Sequence, residues 1–106
     1  MSMTAVIQLS FEPDWFRLDF RKRMSYRAEI AQVLQGTPGV TCRWFDSEPW
    51  TGSVAEFFVC RFGNLHEYWR FWNELREHPV FRHSLIKVAR VSLGAHQVNF
   101  SKDRSG

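Results

Sequence analysis

The sequence holds only two cysteines, Cys42 and Cys60, in 106 residues, and they form no C-x-x-C motif. That excludes a fold that depends on a disulfide framework or a cysteine zinc knuckle. It predicts two reduced, buried thiols in a cytoplasmic protein. The four histidines, His66, His78, His83 and His96, make no H-x-x-x-H or H-E-x-x-H pair, so no metal and no cofactor is predicted. No apolar run nears the ~20 residues that cross a bilayer, so no membrane partner is expected. Met1-Ser2-Met3-Thr4 shows no basic region leading into an apolar stretch, hence no secretory signal. Neither sign of charge dominates. Fourteen Lys and Arg against eleven Asp and Glu leave a formal net charge of +3, far from a dedicated nucleic-acid binder.

What the chain has in abundance is aromatic side chains: ten Phe, five Trp and two Tyr. A single domain of this length buries roughly two-thirds of its unfolded surface. So many large rings exceed one core of that size, and the surplus asks for a second buried surface, supplied by a partner chain or a ligand.

The elements follow from periodicity. Thr4 to Phe11 alternates with period two, which predicts a strand with Ala5, Ile7, Leu9 and Phe11 on one side. Asp14 to Arg17 suits a short helical turn. Asp19 is an N-cap candidate for a helix whose stripe is Phe20, Met24, Ala28, Ala31 and Leu34, with Arg21, Arg23 and Arg27 outside it. Gly36 and Pro38 end that helix. Strands over Val40 to Asp46 and Val54 to Arg61 enclose the turn Glu48-Pro49-Trp50-Thr51-Gly52, an antiparallel hairpin. Asn64 and Glu67 have capping-box spacing. They open a helix with Leu65, Tyr68, Trp69, Trp72 and Leu75 on one face and Phe71 off the main stripe. A last strand spans Leu85 to Leu93. The order β-α-β-β-α-β predicts a ferredoxin-like α+β domain over residues 1–100, a four-stranded antiparallel sheet with two helices on one face. Residues 101–106 read as a disordered polar tail.

Helices on one face leave the other uncovered. One alternating set of the hairpin is Val40, Cys42, Trp44, Val54, Glu56, Phe58 and Cys60; the other is Thr41, Arg43, Phe45, Ala55, Phe57, Val59 and Arg61. Both sets are rich in apolar residues, which predicts a homodimer packed sheet to sheet around a partly polar cavity. Which set faces that cavity stays open at this point.

Three runs carry a family resemblance: Phe11-Glu12-Pro13-Asp14-Trp15-Phe16, Arg43-Trp44-Phe45-Asp46-Ser47-Glu48 and Leu75-Arg76-Glu77-His78-Pro79-Val80-Phe81. In order and spacing they resemble the darcynins, from about Val6 to Phe100. The resemblance implies a dimeric α/β-barrel fold and carries no assigned activity. That wider group includes cofactor-free monooxygenases, haem-handling enzymes and ligand-sensing domains, so fold alone does not choose a function.

The candidate site follows from the hairpin. Glu56 and Arg43 are the candidate catalytic pair, a proton-handling carboxylate and an orienting cation. Trp44, Phe45, Asp46, Glu48 and Phe58 are the candidate ligand-binding residues around an apolar or aromatic small molecule. The plainer reading of the same charges is a salt bridge between strands or subunits. His78, near the end of the second helix, reads as a cap on the helix dipole. Two other classes compete. One is a non-catalytic dimerisation or protein-interaction module. The other is an RNA-binding module of the same element order, disfavoured because Val54 to Arg61 has no glycine-flanked aromatics.

Overall fold

The structure, a computed structural model, describes residues 2–46 and 56–95. The expected turn at Glu48 to Gly52, with Trp50, lies outside these residues, as do Val54, Ala55, His96, Phe100 and the tail 101–106.

β1 (Met3–Phe11) leads into a short α1 (Pro13–Arg17). Pro13 starts α1 where its missing N–H costs nothing. α2 (Phe20–Gly36) begins at Asp19, whose carboxylate accepts from the Lys22 N–H at 2.7 Å. A turn through Gly39 leads to β2 (Val40–Asp46), and β3 (Glu56–Phe62) returns antiparallel to it. Gly39 has φ +81°, and a Cβ there would collide with the Glu67 carboxylate. α3 (Leu65–Glu77) opens on Asn64, which accepts from the Glu67 N–H at 2.9 Å. α4 (Pro79–Arg82) and β4 (Ile86–Ala95) complete the described residues. The sheet order is β2-β3-β1-β4, all pairs antiparallel, which is the expected ferredoxin-like arrangement.

The core lies between one sheet face and the helices. Ala5, Ile7 and Leu9 of β1 and Phe58 and Cys60 of β3 meet Ile30 and Leu34 of α2 and Phe71 and Leu75 of α3. Register fixes the side. Ala5 faces Cys60, Ile7 faces Phe58 and Leu9 faces Glu56, so one alternating set of each strand lies under the helices. Along β4 the pattern slips. Gln8 pairs with Arg90 but Leu9 with Val88, leaving Ala89 as the extra residue of a bulge. The bulge lets Ile86, Val88, Val91 and Leu93 share the helix side although their numbers change parity.

Three expectations are corrected. Cys42 and Cys60, directly opposite on β2 and β3, are joined in a disulfide rather than left as thiols. The buried stripe of α2 is not Phe20, Met24 and Ala28. Phe20 and Met24 are exposed, while Tyr26, Arg27, Ile30 and Leu34 turn inward, because Arg27 finds a carboxylate and aromatic rings beneath it. On α3 it is Phe71 that is fully buried, and Leu65 and Trp69 are more than half exposed. The apolar arc of α3 is wider than the sheet beneath it. Trp15 of α1 is also a core residue, edge-on to Phe11 at 5.2 Å, while Phe16 beside it is exposed.

Candidate functional site

The hairpin register separates the residues that the sequence grouped. Trp44 pairs with Phe58 and Asp46 with Glu56, and all four belong to the helix side. Arg43 pairs with Val59 and Phe45 with Phe57, on the open face. Arg43 and Glu56 therefore stand on opposite sides of the sheet and do not share a cavity. Trp44 and Phe58 meet edge to face at 5.3 Å against the core, whereas Phe45 and Phe57 stack at 5.1 Å on the open side. Glu48 lies outside the described residues.

Glu56 is committed to a different arginine. Arg27 of α2 donates from both terminal nitrogens to its two carboxylate oxygens, at 2.8 and 2.6 Å. The Arg27 guanidinium also lies 5.3 Å from the Phe11 ring, 5.6 Å from Trp15 and 5.3 Å from Trp44. Three ring faces and a two-pronged carboxylate thus enclose one cation. The Glu56 hydrogen bond holds the Arg27 pKa above its ordinary value; burial opposes this, and the charges of Glu56 and Asp46 add to it. The arrangement fastens α2 to the end of the hairpin. This Arg27 role had no periodic signal in the sequence, because the residue falls among other basic residues of α2.

His78 ends α3 and caps α4. Its Nδ1 accepts from the Val80 N–H at 3.1 Å, so Nε2 carries the proton and faces the Glu29 carboxylate at 3.5 Å. Its role is thus local turn formation at the α3–α4 junction.

A cavity lies elsewhere, between α3 and β4 on the helix side. It is a groove of about 780 Å³ walled by Tyr68, Trp69 and Trp72 on the helix and Ile86, Val88 and Val91 on the strand. Leu65 and Arg76 stand at positions eleven residues apart along α3, and Phe81 and Lys87 complete the lining. The bulge at Ala89 supplies the apolar strand wall, and the wide aromatic arc of α3 supplies the other. The sequence placed the cavity on the open sheet face; on that face the structure has a smaller hollow of about 330 Å³ near Thr4, Val6 and Ser92. The signal that could have located the groove is the excess of rings on α3.

The groove does not suit haem. Its lining holds no His, Cys or Met to ligate iron, the Lys87 amine is paired with Glu12 at 3.1 Å, and the Tyr68 hydroxyl is sealed from solvent. No group of three His, Cys, Asp or Glu among the described residues is placed to hold a metal ion. No helix of the described residues is long and apolar enough to cross a membrane.

The element order and sheet topology define a ferredoxin-like α+β protein. Particular solved structures share this fold. A mutant of chlorite dismutase from Candidatus Nitrospira defluvii superposes with a TM-score of 0.78 and 13% identity, over 92% of this chain and 41% of that one. The imidazole complex of the same enzyme gives 0.78 and 12%, over 96% and 43%. A further protein described as a chlorite dismutase, TA0507, gives 0.70 and 21%, over 89% and 43%. The chain thus spans about two-fifths of the length of the proteins it resembles, and at these identities the likeness is one of fold. No protein-family model and no curated protein matches the chain. The resemblance to the darcynins rests on the three sequence runs alone.

Proposed function

We propose that this is a small-molecule-binding protein of the dimeric α/β-barrel kind, holding an apolar or aromatic compound in the groove between α3 and β4. The observation that carries the reading is the groove itself. Its volume, about 780 Å³, falls within the roughly 300–1,000 Å³ of ordinary ligand sites. Its aromatic walls include Trp69, more than half exposed, where a helix face with no second function would be polar. Glu56 has a fastening role in this reading, and neither it nor Arg43 lines the groove.

The second copy packs on the open sheet face. Val6, Phe45, Phe57 and Val59 form an apolar strip there that no helix of the described residues covers. Native mass spectrometry of freshly purified protein reports both features together. A dimer with retained small-molecule mass is expected. A monomer without added mass, joined to failure of every compound in a broad thermal-shift screen, sinks the proposal. A dimer that binds nothing favours a pure dimerisation module.

A further inference from the structure

We infer that the groove accepts an elongated apolar acid, its carboxylate on Arg76 and its apolar body extending along α3 toward Leu65. This inference rests on the ligand-binding reading of the groove and adds the chemical class and the orientation.

The argument begins with spacing. Leu65, Trp69, Trp72 and Arg76 recur at intervals of four, three and four, and so share one helical face. Eleven residues at 1.5 Å each make that face about 16 Å long. The groove is therefore a track with two unlike ends, leucine at one and arginine at the other. The guanidinium of Arg76 lies 6.0 Å from the Trp69 ring and 5.5 Å from the Trp72 ring, at the end of the aromatic wall.

Charge supplies the second half. The groove lining contains two cations and no carboxylate. Lys87 is already neutralised by Glu12 at 3.1 Å, whereas Arg76 makes no ion pair with any described residue. The one charge on the track without an ion pair among the described residues is thus positive, planar and set beside apolar surface. A guanidinium in that setting donates two parallel hydrogen bonds to a carboxylate. The ligand's apolar body then covers Trp69, Val88 and Val91, burying side chains that are partly open to water.

Titrating the intact protein with decanoate and with decanol, followed by tryptophan fluorescence and calorimetry, tests both parts. Decanoate is expected to bind about tenfold more tightly than decanol, the gain of one charge-assisted contact at a solvent-exposed end. Arg76→Gln should erase that preference, bringing the two affinities together. The residue is exposed, so the variant should melt with the native protein. Equal affinity for the two compounds, or an unchanged preference in Arg76→Gln, overturns the acid assignment while leaving the groove as a binding site. If neither compound binds, the groove reading itself fails and this inference falls with it. Val91→Arg should abolish binding of both; binding that survives it is elsewhere on the molecule and refutes the inference.

Discussion

Glu56→Gln is the substitution that best separates a fastening role from a catalytic one. In the native protein the Glu56 carboxylate takes two hydrogen bonds from Arg27, and its side chain is only 10% exposed, against 33% for Arg27. Breaking a fully buried ion pair from one side costs roughly 3–5 kcal/mol, but solvent reaches this guanidinium, so we take about 2 kcal/mol. For a domain near this size each kcal/mol moves the midpoint by about 4–8 °C, which gives a fall of about 8–16 °C. Circular dichroism melts measure it. Arg27→Met should cost more, about 3 kcal/mol, because it leaves a buried carboxylate without its partner. Combining Arg27→Met with Glu56→Leu should recover most of that loss, since the apolar replacements fit among Phe11, Trp15 and Trp44. Two results refute the reasoning: a Glu56→Gln midpoint within about 2 °C of native, or losses that simply add in the double variant. The pH dependence follows from the raised Arg27 pKa. A base whose folded pKa is raised contributes stability fully below its unfolded value and loses it only as pH climbs beyond. Arg27 should therefore add no slope to the melting midpoint between about pH 5 and pH 10.

Three further outcomes are expected. Reducing Cys42–Cys60, which closes a loop of sequence separation 18, should cost about 3 kcal/mol; alkylation of both thiols in native, unreduced protein would contradict the pairing. Gly39→Ala should lose about 1–2 kcal/mol to left-handed backbone strain, and Gly39→Asn less, because asparagine tolerates φ +81° better; equal chemical-denaturation midpoints for the two would remove the backbone argument. Among the described residues the charges of the open face that make no ion pair are Arg43, Arg61 and Arg90, all basic, so two copies meeting there repel. Their dimer should tighten when salt rises from about 0.05 M to about 0.5 M, and sedimentation equilibrium showing a dimer loosened by salt would place the interface elsewhere.

Local signals in the sequence carried far. Asp19 and Asn64 cap the two long helices as their positions implied, and Pro13, Gly39 and Pro79 mark the breaks between elements. The four strands and their pairing follow from short connections and alternation. What escaped was the sidedness of side chains whose burial depends on a distant partner. Arg27 looks like one more solvated cation on α2 until Glu56, 29 residues away, is brought beneath it. On α3 the periodicity favours Trp69 and leaves Phe71 off the main stripe, yet it is Phe71 that the sheet covers and Trp69 that stays open. The hairpin sets were both apolar enough to be inward, so the choice between Arg43 and Glu56 as cavity residues needed the β1–β3 register. The disulfide needed the same information, since it joins residues that become opposite only once β2 and β3 pair.

The extra residue in β4 gives the groove's strand wall a degree of slack. Omitting Ala89 would leave Ile86, Lys87, Val88, Arg90, Val91, Ser92 and Leu93 in strict alternation, with the same side chains facing α3 as before. Such a deletion would change how the wall bends while sparing what it is made of. Conversely, exchanging Val88 or Val91 alters the lining without touching the strand's path. Contour and lining of this cavity can thus vary independently, through one insertion site and a few point positions, so related chains could accommodate differently shaped ligands without rebuilding the sheet.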